Sequence, residues 1–200
     1  MANKISAQAY FDELAPEYEY EGVESALQTN HLVEAKKIFN KYQIIQGSIL
    51  DLACGTGLLS QVVEGDFQFT GIDISENMLQ SAAQRGYRTI HKPLETALSE
   101  IPAQSYDFVV CLTALLCIQD IQGILAGMCR IARQGILLTL EEISPEFLEE
   151  FPAPAYSHTH LSFPAAKEDY RLFGWQTPKG LDMYIRMIYL SPPHNMRKPT

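Results

Sequence analysis

Two periods of apolar residues take turns along this chain, one near three and a half residues and one near two. From Val23 to Tyr42 the apolar positions Val23, Ala26, Leu27, Leu32, Ala35, Ile38, Phe39 and Tyr42 recur at helical spacing, and Gly47 closes that helix. Ser48 to Leu52 then reads as a first strand, Leu58 to Val63 as a short helix, and Phe67 to Ile72 as a second strand. Ser75 is placed to cap a helix running to Arg85, with Gly86 as its stop. Tyr87 to His91 gives a third strand and Tyr106 to Leu112 a fourth. Asp120 to Arg133 is helical in pattern, Gly135 breaks it, and Ile136 to Glu141 is a fifth strand. Strands that alternate with helices predict a mostly parallel, doubly wound α/β sheet. After Pro164, Ala165 to Phe173 reads as a helix ended by Gly174. Trp175 to Pro178 and Asp182 to Leu190 read as two strands joined by a tight turn at Lys179-Gly180.

Length fits that picture. Two hundred residues fill one well-buried core and fall short of two ordinary domains. No repeat or interdomain linker divides the chain, so residues 1–190 are expected to form a single domain with a flexible tail at 191–200, rich in Pro and polar residues. The longest apolar run, Phe108 to Ile118, is too short to cross a membrane and reads as a buried strand entering a helix. The opening MANKISAQAYFDEL has no apolar signal core, from which a cytoplasmic location is expected. Cys54, Cys111, Cys117 and Cys129 form no Cys-x-x-Cys pair and lie mostly in apolar stretches, as reduced core thiols do. A net charge of −9 with scattered Lys and Arg repels polyanions at long range, which favours a small-molecule or protein partner and makes nucleic acid an unfavoured one.

The chemistry concentrates at Ile49 to Ser60, ILDLACGTGLLS. A strand ends in Asp51, a turn follows with Gly55 and Gly57, and a helical pattern begins at Leu58. Asp73 comes about twenty residues beyond, after the next strand, where a Rossmann-like sheet places the acid that accepts hydrogen bonds from a ribose. A dinucleotide site asks for a third Gly; here the run Gly55-Thr56-Gly57-Leu58-Leu59-Ser60 ends in Ser. Asp51 would also set negative charge near a pyrophosphate. The same acid suits a cationic head group, such as the ammonium and sulfonium of S-adenosylmethionine.

This region resembles the class I S-adenosylmethionine-dependent methyltransferases, whose first motif, acid-x-Gly-x-Gly-x-Gly, is matched by Asp51, Ala53, Gly55 and Gly57, with Ala53 in place of the first Gly. The resemblance implies a seven-stranded, mostly parallel Rossmann-like sheet with an antiparallel C-terminal hairpin strand, and S-adenosyl-L-methionine as cofactor. It implies that main-chain groups of Ala53, Cys54 and Gly55 hold the amino-acid end of the cofactor and that Asp73 takes the ribose. Ile74 and Met78 would lie near the adenine, and Cys111 and Leu112 would turn carbonyls toward the ammonium. Leu94 would pack on the ring, although Pro93 stands where the family often has an acid, with Glu95 as its substitute. Phe11, Asp12, Ala15 and Tyr18 resemble the N-terminal lid of small-molecule methyltransferases, which makes residues 1–42 a lid over the cofactor.

The acceptor is less legible. Cys111-Leu112-Thr113-Ala114 replaces the Asn/Asp-Pro-Pro-aromatic run that accompanies adenine and amide N-methylation. Residues 142–163 stand where the family inserts a substrate cap, and that segment carries His158, the candidate general base for an oxygen or nitrogen nucleophile. His158 and His160 are not expected to hold a metal. The reading is methyl transfer to a small molecule. Three alternatives stay open: a non-catalytic cofactor-binding partner protein, a methyltransferase acting on RNA or protein, and a nicotinamide-dependent oxidoreductase.

Overall fold

In the computed structural model, residues 4–18, 30–176 and 182–192 are described. The elements run α1 (Ala7–Leu14), α2 (Asn30–Lys41), β1 (Gln46–Leu52), α3 (Leu59–Val62), β2 (Asp66–Asp73), α4 (Glu76–Gln84) and β3 (Arg88–His91). They continue with α5 (Leu94–Glu100), β4 (Tyr106–Cys111), a 3₁₀ turn (Leu115–Cys117), α6 (Ile121–Ile131), β5 (Ala132–Glu142), α7 (Pro145–Glu150), β6 (Glu168–Gln176) and β7 (Asp182–Leu190). The expected residues Val23, Ala26 and Leu27, the Lys179-Gly180 turn and the tail from 193 onward lie outside the described residues.

The seven strands form one sheet in the order β3-β2-β1-β4-β5-β7-β6. The first five are parallel; β7 runs antiparallel to β5, and β6 antiparallel to β7. From β1 the chain winds outward to β2 and β3, then crosses back to β4, so the connections diverge between β1 and β4. Open α/β sheets bind ligands at such a switch point, outside the carboxyl ends of the strands.

The pleat sorts the core into two layers. Leu50, Leu52, Val109, Cys111, Leu138 and Ile188 point to the face covered by α5 and α6, where Leu94, Leu98, Ile124, Met128 and Ile131 meet them. Ile49, Phe108, Val110, Leu137 and Met187 point to the other face, against Leu32, Ala35, Ile38 and Phe39 of α2 and Leu59 and Val62 of α3. Each fully buried large side chain stabilises by roughly 1.5–3 kcal/mol, and Leu32, Ala35, Ile38 and Phe39 of the stripe read from the sequence form the α2 docking face.

Three sequence expectations are corrected. Ala165 to Phe173 is not a helix: β6 begins at Glu168, and Glu168, Tyr170 and Leu172 alternate with the exposed Asp169, Arg171 and Phe173. That period of two, with Tyr170 and Leu172 packed on the α2 layer, overrides the helical reading drawn from Pro164 and Gly174. Gly135 does not break the chain but lies inside β5, where a Cβ would stand 2.9 Å from the Tyr189 ring and 3.0 Å from Phe108. Gly47 lies in β1, and α2 already ends at Lys41. The structure also adds α5 and α7, which the sequence pattern had not marked, while α1 falls within residues 1–42, where a helical lid is expected.

Candidate active site

At the carboxyl ends of β1, β2 and β4 lies a cavity whose lining includes Asp51, Ala53, Cys54, Gly55, Thr56, Asp73, Ile74, Met78, Leu94, Leu112 and Tyr18. Ten of the positions expected from the sequence are therefore brought together. Gly57, Cys111 and His158 are not part of the lining. A Cβ at Gly57 would stand 2.9 Å from the Tyr87 ring, and Cys111 is fully buried in the sheet core. His158 is buried behind the cavity wall, its ring Nε2 2.8 Å from the Ile118 carbonyl oxygen. The imidazole that does line the cavity is His31, in the first turn of α2, and burial holds it neutral by lowering its pKa to about 4.

The turn after β1 shapes the floor. Ala53 adopts a left-handed φ of 51° and Gly55 one of 52°. A Cβ added at Gly55 would meet nothing within 4 Å, so this backbone faces open space. Cys54 donates its N–H back to Ile72 at 3.1 Å, tying the turn to β2.

Asp73, at the tip of β2, receives the Gly55 N–H on Oδ2 at 2.8 Å and the Ser75 N–H on Oδ1 at 2.9 Å. An ionised carboxylate has about four lone-pair sites, so these two bonds orient the group and leave acceptor capacity for ligand hydroxyls. Burial raises its pKa, against the lowering effect of the backbone N–H groups. Asp51, at the end of β1, accepts the Tyr87 hydroxyl on Oδ2 at 2.9 Å. Its pKa is pushed up to about 7, first by burial and then by Asp73, while Tyr87 pulls it down. A buried carboxylate beside a second one is a poor place for another anion and a favourable one for a cation.

Thr56 supplies the other telling atom. Its hydroxyl is buried without a hydrogen-bond partner, and the residue lines the cavity. A buried hydroxyl left unpaired costs roughly 1–3 kcal/mol, which a polar ligand group would recover. Open backbone at Gly55, the paired acids and the orphaned Thr56 hydroxyl fit a polar, partly cationic nucleoside such as S-adenosylmethionine.

The N-terminal segment contributes to the lining. Ala7, Phe11 and Tyr18 line the cavity, and Asp12 accepts the Ser75 hydroxyl at 2.6 Å, pinning α1 to the start of α4. Tyr18 is 42% exposed overall, yet burial and the nearby Asp73 raise its hydroxyl pKa, so the hydroxyl is the enclosed end. On the far wall stand Thr113, Ala114, Cys117 and Ile118. Burial and Glu141 push the Cys117 thiol up to about 12, so it is no nucleophile at neutral pH. Pro93 and Glu95 also line the cavity at the start of α5. Among the described residues that line the cavity there is neither Lys nor Arg. Among the described residues, no group of His, Cys, Asp and Glu is arranged to hold a metal.

Residues 50–140 match the methyltransferase domain family. This stretch is a methyltransferase domain. The domain's chain is 32% identical to a demethylmenaquinone methyltransferase of Tropheryma whipplei over 111 residues, 54% of this chain and 46% of that protein. It is 28% identical to the demethylmenaquinone methyltransferase of Staphylococcus aureus over 163 residues, 75% of this chain and 65% of that one. The chain thus spans about half the length of the first curated relatives it matches. Among solved structures, magnesium protoporphyrin IX methyltransferase from Synechocystis, solved with bound SAH, shares the fold at a TM-score of 0.56 and 16% identity. That match covers 96% of this chain and 90% of the other.

Sequence reasoning missed His31, Thr56 and Tyr87. Thr56 stood inside the glycine motif, and its burial is what distinguishes it. Tyr87 was visible only as the first residue of a strand. His31 sits on the helix whose apolar stripe was read, one position before Leu32, and nothing in the stripe marks it.

Proposed function

We propose that this chain transfers a methyl group from S-adenosyl-L-methionine to an oxygen or nitrogen of a small molecule. The observation that carries the reading is the pair of buried acids at the ends of neighbouring strands, Asp51 and Asp73, around an open Gly55 backbone. The cofactor, when bound, supplies a methyl on a sulfonium that is already a good leaving group. The chain's work is then alignment and exclusion of water. Asp51 balances positive charge, Asp73 orients a ribose, and Thr56 donates or accepts through its free hydroxyl. Phe11 and Tyr18 cover the cofactor as the described part of the lid expected for residues 1–42, with 142–163 as the cap.

The acceptor is apolar and not anionic. Ala7, Phe11, Ala114, Cys117 and Ile118 are apolar members of the lining, and among the described lining residues no Lys or Arg is present to meet a negative charge. The relatives named demethylmenaquinone methyltransferases support a small-molecule acceptor. An open acceptor side speaks against a purely non-catalytic role, and Asp51 against a nicotinamide dinucleotide. His158, held on Ile118, is badly placed for the base role the sequence suggested, and His31 is the imidazole within reach of the cavity. The test is incubation with methyl-labelled S-adenosylmethionine and a panel of quinols, phenols, amines and carboxylic acids. Label on a neutral acceptor supports the proposal; label only on carboxylates or on RNA overturns the acceptor class.

A further inference from the structure

The far wall of the cavity, residues 112–118, is held from behind by a set of polar bonds that the methyl-transfer reading does not itself require. Thr113 takes a left-handed φ of 53°, which costs a non-glycine residue roughly 1–2 kcal/mol and must be imposed by its surroundings. Its N–H donates to Thr139 Oγ1 at 2.6 Å, and the Thr139 hydroxyl donates to Glu141 Oε1 at 3.0 Å. The other oxygen, Oε2, accepts the Leu116 N–H at 3.1 Å. Thr139 is fully buried and Glu141 is 3% exposed.

These two side chains are two apart on β5 and so share one face of the strand. That strand is otherwise filled with Ile136, Leu137, Leu138 and Leu140, where an aliphatic residue would be the cheaper occupant. No cation pairs with Glu141 among the described residues. Its hydrogen bonds go to Thr139 and to the wall. The cap engages the same wall: the Tyr156 N–H donates to the Leu116 carbonyl at 2.7 Å, and His158 Nε2 meets the Ile118 carbonyl at 2.8 Å. The cap in turn carries the lid, through Ile5 N–H on the Pro152 carbonyl at 3.0 Å and the Tyr10 ring against Phe151 at 5.2 Å.

We infer that Thr139 and Glu141 are positioning residues that fix the 113–118 wall, and that His158 serves on the same wall as a clamp from the cap. The inference rests on the methyltransferase reading for its purpose, and on the bonds above for its mechanism. Leu112 and Thr113 line the cavity at the end of β4, which pairs with β1 beside Asp51, so a displaced wall opens one side of the cofactor site.

The test compares Thr139→Val, Thr139→Ser and Glu141→Gln with the wild type. Two readouts are taken: amide hydrogen exchange at Thr113 and Leu116, and calorimetric binding of S-adenosylhomocysteine. Thr139→Val keeps shape and removes both bonds. It should speed exchange at Thr113 and Leu116 and weaken binding by about tenfold, the equivalent of one buried hydrogen bond. Thr139→Ser restores the hydroxyl and should stay within about twofold of wild type on both readouts, a shift well below one such bond. If the valine and serine variants behave alike, the clamp is refuted. It is equally refuted if exchange quickens uniformly, at Leu50 and Ile72 as much as at the wall. Should the valine variant not fold, Glu141→Gln decides alone, through selective faster exchange at Leu116 or its absence. A wild type that binds no S-adenosylhomocysteine would sink the methyltransferase reading, while the exchange arm would still judge the clamp.

Discussion

The two sides of the cavity are built by different means. On the β1–β2 side, the proposed cofactor site uses residues at strand ends: Asp51, the turn that begins at Ala53, and Asp73, each fixed by its place in the chain. On the β4–β5 side, the wall at 113–118 contacts the cavity with ordinary residues, and what fixes them lies behind, on Thr139, Glu141 and the cap. The contrast teaches where a sequence can be read. A side chain that must sit at a strand end after a set turn leaves a spacing. A side chain that acts through two others leaves none.

The largest break of the first side is Asp73→Ala. It removes the carboxylate that is expected to accept ribose hydroxyls, and should weaken S-adenosylhomocysteine binding by about 1–3 kcal/mol, roughly five- to 150-fold. Binding as tight as wild type by calorimetry would remove Asp73 from the site.

Asp51 gives the next effect through pH. Its folded pKa of about 7 means that it is largely protonated at pH 6, and a cation beside it must first drive that proton off. Cofactor affinity should therefore fall by about tenfold from pH 8 to pH 6, with proton release on binding below neutrality. The free protein shows the opposite sign. Because the folded pKa lies above the ordinary carboxylate value, Asp51 favours the folded state at low pH, and that contribution is lost as pH rises toward 7. Affinity that is flat across pH 6–8 would mean that no cation meets Asp51.

Thr56→Val sharpens the account further. Removing an unpaired buried hydroxyl should leave the free protein as stable or slightly more so, while binding weakens by about 0.5–1.5 kcal/mol. Loss of stability with unchanged binding would show the hydroxyl to be internal to the fold. The smallest change is Ala53→Gly. Relief of the left-handed φ should outweigh the added chain entropy, raising thermal stability by about 0.5 kcal/mol without altering affinity.

Much of the fold was legible because each pattern matched its layer: the stripe from Leu32 to Phe39 lies on α2, and the apolar runs of β1, β2 and β4 are strands buried over their last residues. The misreading of 165–173 came from taking Pro164 and Gly174 as helix bounds when Tyr170 and Leu172 were already alternating. Helix α5 was invisible because its seven residues bury only Leu94, Ala97 and Leu98, too few to make a period. In the site, Asp51, Asp73 and the glycine turn could be found from spacing. His31 could not, since a lone His beside an apolar stripe looks like any helix-surface residue. His158 was chosen for its chemistry, but a base must reach the substrate, and this imidazole is bonded to the back of the wall.

The most direct measurement is calorimetric titration of the protein with S-adenosylmethionine, S-adenosylhomocysteine and NAD at pH 7.5. Saturable binding of the two sulfur compounds and none of NAD is the predicted result. Binding of NAD, or of neither sulfur compound, would contradict it.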